Sequence, residues 1–90
     1  MSSLKAEPQT MAERLAVVRK EHGLTRRQVA LLLGWETRHV EAYEHGQPVP
    51  FPILRAFCEL FAVQGVWLLR GIGQRYGYEG LVYPADTLFL

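Results

Sequence analysis

Arg26 and Arg27 stand directly after Gly23-Leu24-Thr25, and adjacent arginines at a helix start are suited to binding anions. With Thr25 as cap they occupy the first turn, where unpaired amides and the helix dipole favour a negative group. Other reactive side chains offer less. His22, His39 and His45 do not form a metal set: the last two are six positions apart and no cysteine pair supports them. Cys58 is the single cysteine, so it closes no internal disulfide, and it falls on a core-facing helix position as a packed thiol. No glycine-rich loop follows a strand, and no pair of carboxylates sits in a recognisable catalytic setting. The residues therefore point away from an enzyme, a metal centre or a cofactor.

The elements that must position these side chains announce themselves by their caps. Thr10 and Glu13 form a capping-box pair ahead of Met11, Leu15 and Val18 at helical spacing, with Gly23 as the stop. Thr25 and Gln28 form a second box, flanked by Leu24 and Val29, and that helix runs through Ala30 and Leu33 to Gly34. A third helix follows after two or three residues, spanning Thr37 to His45, with Val40 and Tyr43 inward and Gly46 as its end. Two short helices joined by a tight glycine turn make a helix-turn-helix unit. Gln47 to Pro52 contains three prolines and reads as a rigid loop; Ile53 to Phe61 reads as helix four and Gly65 to Arg70 as helix five, stopped by Gly71. Beyond Gly71 the periodicity ends, and Leu81-Val82-Tyr83 and Leu88-Phe89-Leu90 favour extended strands.

Laid out at about 100° per residue, the third helix turns Thr37, Arg38, Glu41, Ala42 and His45 outward over a contiguous arc of about 140°. Charge gives no strong pull towards a polyanion, since ten basic and nine acidic residues leave a net +1 in a chain of 90 residues. Many nucleic-acid-binding domains are plainly basic, so the distribution of charge matters more here than its sum. Met1 to Gln9 lacks the charged start and apolar run of a signal peptide, and no apolar stretch approaches the roughly 20 residues of a membrane span. A soluble cytosolic protein is the expectation.

Residues 10–71 resemble the phage repressor and Cro type (XRE-like) of helix-turn-helix domain. The resemblance is carried by Arg14-Leu15, Arg19, Gly23-Leu24-Thr25, Val29-Ala30, Leu33-Gly34, Val40, Tyr43-Glu44 and Gly46, and by Trp67-Leu68-Leu69-Arg70-Gly71. It implies an all-α, five-helix, repressor-like bundle in a bacterial or phage-encoded cytoplasmic protein, a DNA-binding transcriptional regulator acting as a homodimer on a palindromic operator. It further implies a salt bridge between Arg19 and Glu44, and base contacts from Thr37, Arg38, Glu41 and Ala42, with His45 on the same arc. The side chains suit base recognition, since Arg38 can bond guanine O6 and N7 together, Glu41 can accept from a cytosine amine, and Thr37 or Ala42 can pack a thymine methyl. Where relatives commonly place glutamine against the DNA backbone, this chain has Arg26, a stronger phosphate partner.

Three departures modify that expectation. Glu36 stands where a serine or threonine usually caps the recognition helix. The loop Gln47-Pro48-Val49-Pro50 is uncharged where relatives are often basic, so the phosphate grip should be light. Leu31 lies opposite Val29 and Leu33, on a face that is usually polar; it reads either as a scattered surface leucine or as covered by a partner or by the C-terminal tail. The expected organisation is a flexible segment 1–9, the helix-turn-helix domain 10–71 and an extended or β extension 72–90. That extension, rich in tyrosine and leucine, is the expected dimerisation segment, with folding back onto its own helices as the alternative. An antitoxin-like protein-interaction module, using Leu31 and the tail, is the competing reading of function.

Overall fold

The computed structural model describes residues 8–77 of the chain. Five helices follow one another: α1 Met11–Glu21, α2 Arg26–Leu33, α3 Thr37–Glu44, α4 Phe51–Phe61 and α5 Gly65–Arg70. Both capping boxes form. The Thr10 hydroxyl accepts from the Glu13 N–H at 3.1 Å while the Glu13 carboxylate takes the Thr10 N–H, and Thr25 and Gln28 repeat the exchange at α2. Each exchange satisfies two of the amides that a helix start leaves without an intrahelical partner. At the other end of α2, Gly34 adopts φ +72°, and the Trp35 N–H then reaches back to the Ala30 carbonyl at 2.8 Å. That left-handed step turns the chain sharply enough for α3 to pack across α2, where Ala30 is buried and small.

The core joins all five helices. Leu15 and Val18 of α1 meet Val29 of α2 and Val40 of α3, with Leu54, Phe57, Cys58 and Phe61 of α4 and Trp67 and Leu68 of α5 completing it. Each large side chain withdrawn in this way contributes about 1.5–3 kcal/mol relative to exposure. Arg14 is also buried, because it reaches from α1 to the end of α5. Its Nε donates to the Leu68 carbonyl at 2.8 Å and its Nη2 to Leu69 at 3.3 Å, satisfying carbonyls that the helix end leaves open.

Two sequence expectations change. Helix four begins at Phe51, not Ile53: Pro52 sits in its first turn, where a missing N–H costs nothing, so the proline-rich loop ends two residues earlier than expected. The chain past Gly71 does not leave the bundle at once. Val63 and Tyr76 form an antiparallel bridge, with the Gln64 N–H donating to Arg75 and the Gly77 N–H to Ala62, each at 2.9 Å. The Tyr76 hydroxyl donates to Glu21 at 2.7 Å, Arg75 pairs with the same carboxylate and lies over the Trp67 ring, and the Tyr76 and Phe61 rings both meet His22. This first part of the expected extension thus belongs to the bundle, and it leaves Leu31 uncovered at 72 % exposure. The strands expected at 81–83 and 88–90 lie outside the described residues, as does most of segment 1–9. No helix among the described residues is long and apolar enough to cross a membrane.

Candidate nucleic-acid interface

The face built by the start of α2 and the outer side of α3 gathers the residues singled out from the sequence. It is held in place from behind by a buried ion pair. Arg19 of α1 donates to Glu44 of α3 through Nε at 2.7 Å and Nη2 at 3.1 Å, a two-pronged contact, while its Nη1 donates to the Leu24 carbonyl at 3.0 Å. The Glu44 side chain is only 3 % exposed. Burial alone would raise its carboxyl pKa, but the hydrogen bonds from Arg19 and then Arg26 outweigh it, and the net shift is downward. Glu44 is therefore ionised at neutral pH and clamps α3 to α1.

Arg26 carries a second duty not anticipated from its place in the sequence. Its Nε donates to Glu44 Oε1 at 2.9 Å, and its Nη1 lies 3.8 Å from Glu41 on the outer side of α3. One buried carboxylate thus orients two guanidiniums, one inward and one at the surface, where Arg26 remains 39 % exposed. Arg27, the next residue, is exposed. Nothing local distinguishes an arginine that will share a carboxylate eighteen positions away; the one available signal is that Arg26 opens a helix that packs against α3.

On α3 itself, Thr37, Arg38, Glu41 and His45 are exposed and Ala42 is half-buried. Val40 is buried and the Tyr43 ring meets Trp35 edge-on at 5.7 Å, so the inward stripe anchors the helix at two levels. Trp35, which carries no signal in the sequence pattern, fills the space behind the turn. Glu36 does not act as a serine would at the helix start. Its carboxylate pairs with Arg38 Nε at 2.6 Å, and its N–H donates to the His39 ring at 3.4 Å. The Arg38–Glu36 pair is open to solvent on both sides, so it contributes little and yields readily to a competing acceptor. His45 closes α3, its Nδ1–H donating back to the Glu41 carbonyl at 2.7 Å, which leaves Nε2 as the ring's outward atom.

The surface thus presents two arginines at a helix N-terminus and a short helix whose exposed side carries an arginine, a threonine and a carboxylate. A short helix of this kind has a width that fits a major groove, and a helix start with its open amides favours an anion. Elsewhere, Cys58 is buried with its thiol pushed up to about 11 by burial and then by Glu59. Among the described residues no group of three or more His, Cys, Asp or Glu is placed to hold a metal ion. Residues 10–68 match the family model for a helix-turn-helix domain. No curated protein and no solved structure matches the chain.

Proposed function

The chain belongs to the helix-turn-helix domain family, and from that premise we propose that it is a sequence-specific DNA-binding transcriptional regulator, a repressor that reads a palindromic operator as a homodimer. The observation that carries the reading is the double hold of Glu44 on Arg19 and Arg26, which fixes the outer side of α3 and a surface arginine in one rigid arrangement. In this reading Arg26 and Arg27 grip phosphates at the start of α2. Thr37, Arg38 and Glu41 meet base edges, Arg38 leaving Glu36 for a guanine, with Ala42 and His45 at the edge of the contact. Occupying an operator blocks other proteins from the same DNA, so repression requires no further domain. Two copies related by a two-fold axis would set their α3 helices one helical turn of DNA apart, about 34–36 Å.

The reading is tested by titrating the protein against a labelled duplex at several salt concentrations. A logarithmic affinity that falls linearly with the logarithm of salt supports a phosphate contact. Affinity independent of salt would remove Arg26 and Arg27 from the interface. A second reading is favoured by one observation. Leu31 and Leu32 are adjacent on α2 and both largely exposed, which suits a protein partner of an antitoxin-like module. That reading predicts no salt-dependent retention on DNA.

A further inference from the structure

α4 and α5 enclose an apolar groove of about 240 Å³, away from the residues assigned to DNA. Leu54, Cys58 and Leu68 form its buried floor, and Phe51, Val66 and Leu69 stand exposed along it, with Arg55 and Arg70 as its charged residues. Among the described residues, Arg55 makes a solvent-open contact with Glu59 at 3.9 Å. Exposed Ile72 lies just beyond α5. An apolar surface of this kind needs a cover.

The remainder of the chain has the matching composition and the right point of departure. Residues 78–90 read Tyr-Glu-Gly-Leu-Val-Tyr-Pro-Ala-Asp-Thr-Leu-Phe-Leu, mostly apolar, with Glu79 and Asp86 and no lysine or arginine. That acidic charge complements Arg55 and Arg70. Gly77 is bound to the Ala62 carbonyl and packs on the Gln64 side chain, so the segment departs from the junction of the two helices that wall the groove. At about 3.3 Å per residue it extends far beyond the roughly 16 Å length of α4. Tethered there, it meets its own groove at an effective concentration in the millimolar range, well above that of a second copy.

We propose that residues 78–90 dock in the α4–α5 groove of their own chain, covering Phe51, Val66 and Leu69 and turning their carboxylates towards Arg55 and Arg70. This assignment takes the folding-back alternative read from the sequence rather than the pairing of two copies, and it stands whether or not the protein binds DNA.

The buried, high-pKa thiol of Cys58 allows a nitroxide to be attached selectively at an Ala85→Cys position of the full chain. Amide signals of Val66, Leu69 and Arg70 are then strongly attenuated in the isotopically labelled, nitroxide-bearing protein. They keep full intensity in a mixture of isotopically labelled chains without nitroxide and unlabelled chains with it. Adding Leu69→Glu, a change at an exposed position, restores the signals in the first sample. Absence of attenuation along α4 and α5 overturns the proposal. So does attenuation of these amides in the mixed sample, which would place the segment on a second copy.

Discussion

A carboxylate withdrawn from water is unfavourable unless its charge is met, and Glu44 meets two guanidiniums through hydrogen bonds of 2.7–3.1 Å. Removing it strands Arg19 in the interior. Glu44→Ala should therefore destabilise the domain by about 3–5 kcal/mol. The melting temperature should fall by more than about 10 °C, since each kcal/mol is worth about 4–8 °C at this size. An unchanged melting temperature would mean the pair contributes nothing. The pH dependence has a definite sign. The Glu44 carboxyl is depressed below its ordinary 4.5, so its contribution is complete above that value and is lost as pH falls through the depressed one. In urea unfolding, the gap between the protein and Glu44→Gln should be widest near neutrality and close in acid; a gap that widens in acid would reverse the assignment. Binding separates the two surface arginines. Arg26→Ala should weaken all DNA sequences about equally and lower the salt slope by roughly one per subunit, whereas Arg38→Ala should cost about 1–3 kcal/mol at the preferred site only. A purely sequence-specific loss from Arg26→Ala would be incompatible with the phosphate role proposed for it.

The helices were legible where a local device makes them. Thr10 with Glu13 and Thr25 with Gln28 encode their starts, and Gly34 and Gly71 their ends, because each acts on backbone groups within a few residues. What escaped were the long-range partners: Arg14 reaching α5 and Tyr76 crossing back to Glu21. A side chain that finds its partner fifty residues away leaves no pattern in its own neighbourhood. Pro52 misled for the opposite reason, since a proline that ends most helices is welcome in the first turn of one. For the candidate interface, spacing alone separated the inward Val40 and Tyr43 from the exposed Thr37, Arg38 and Glu41, but it could not show that Ala42 is half-buried or that Arg26 is shared with Glu44. The two glycine ends allow a comparison of local with long-range effects. Both have left-handed φ, so alanine at either costs about 1–2 kcal/mol of backbone strain. A Cβ at Gly34 meets open space, whereas one at Gly71 comes within 3.0 Å of the Arg14 guanidinium. Gly71→Ala should lower the melting temperature more than Gly34→Ala; equal losses would show that Arg14 moves aside freely.

At the scale of the whole molecule, the net charge of +1 provides little general attraction to DNA. The positive charge of the proposed interface is local, at the start of α2 and on α3, and part of it is offset by Glu36, Glu41 and Glu44. Non-specific binding should accordingly be weak and discrimination should rest on the contacts of one short helix. Proteins that cling to DNA through broad basic surfaces behave in the opposite way, so the balance of specific to non-specific affinity is diagnostic. The sharpest experiment is selection of bound duplexes from a random pool, carried out in parallel with the protein and with Arg38→Ala. If α3 reads the bases, the selected sequence is two-fold symmetric with half-sites about one helical turn apart, and the variant relaxes the preference at one base pair of each half. A pool that emerges without enrichment, or an enriched sequence unaltered by Arg38→Ala, would show that α3 is not the reading helix.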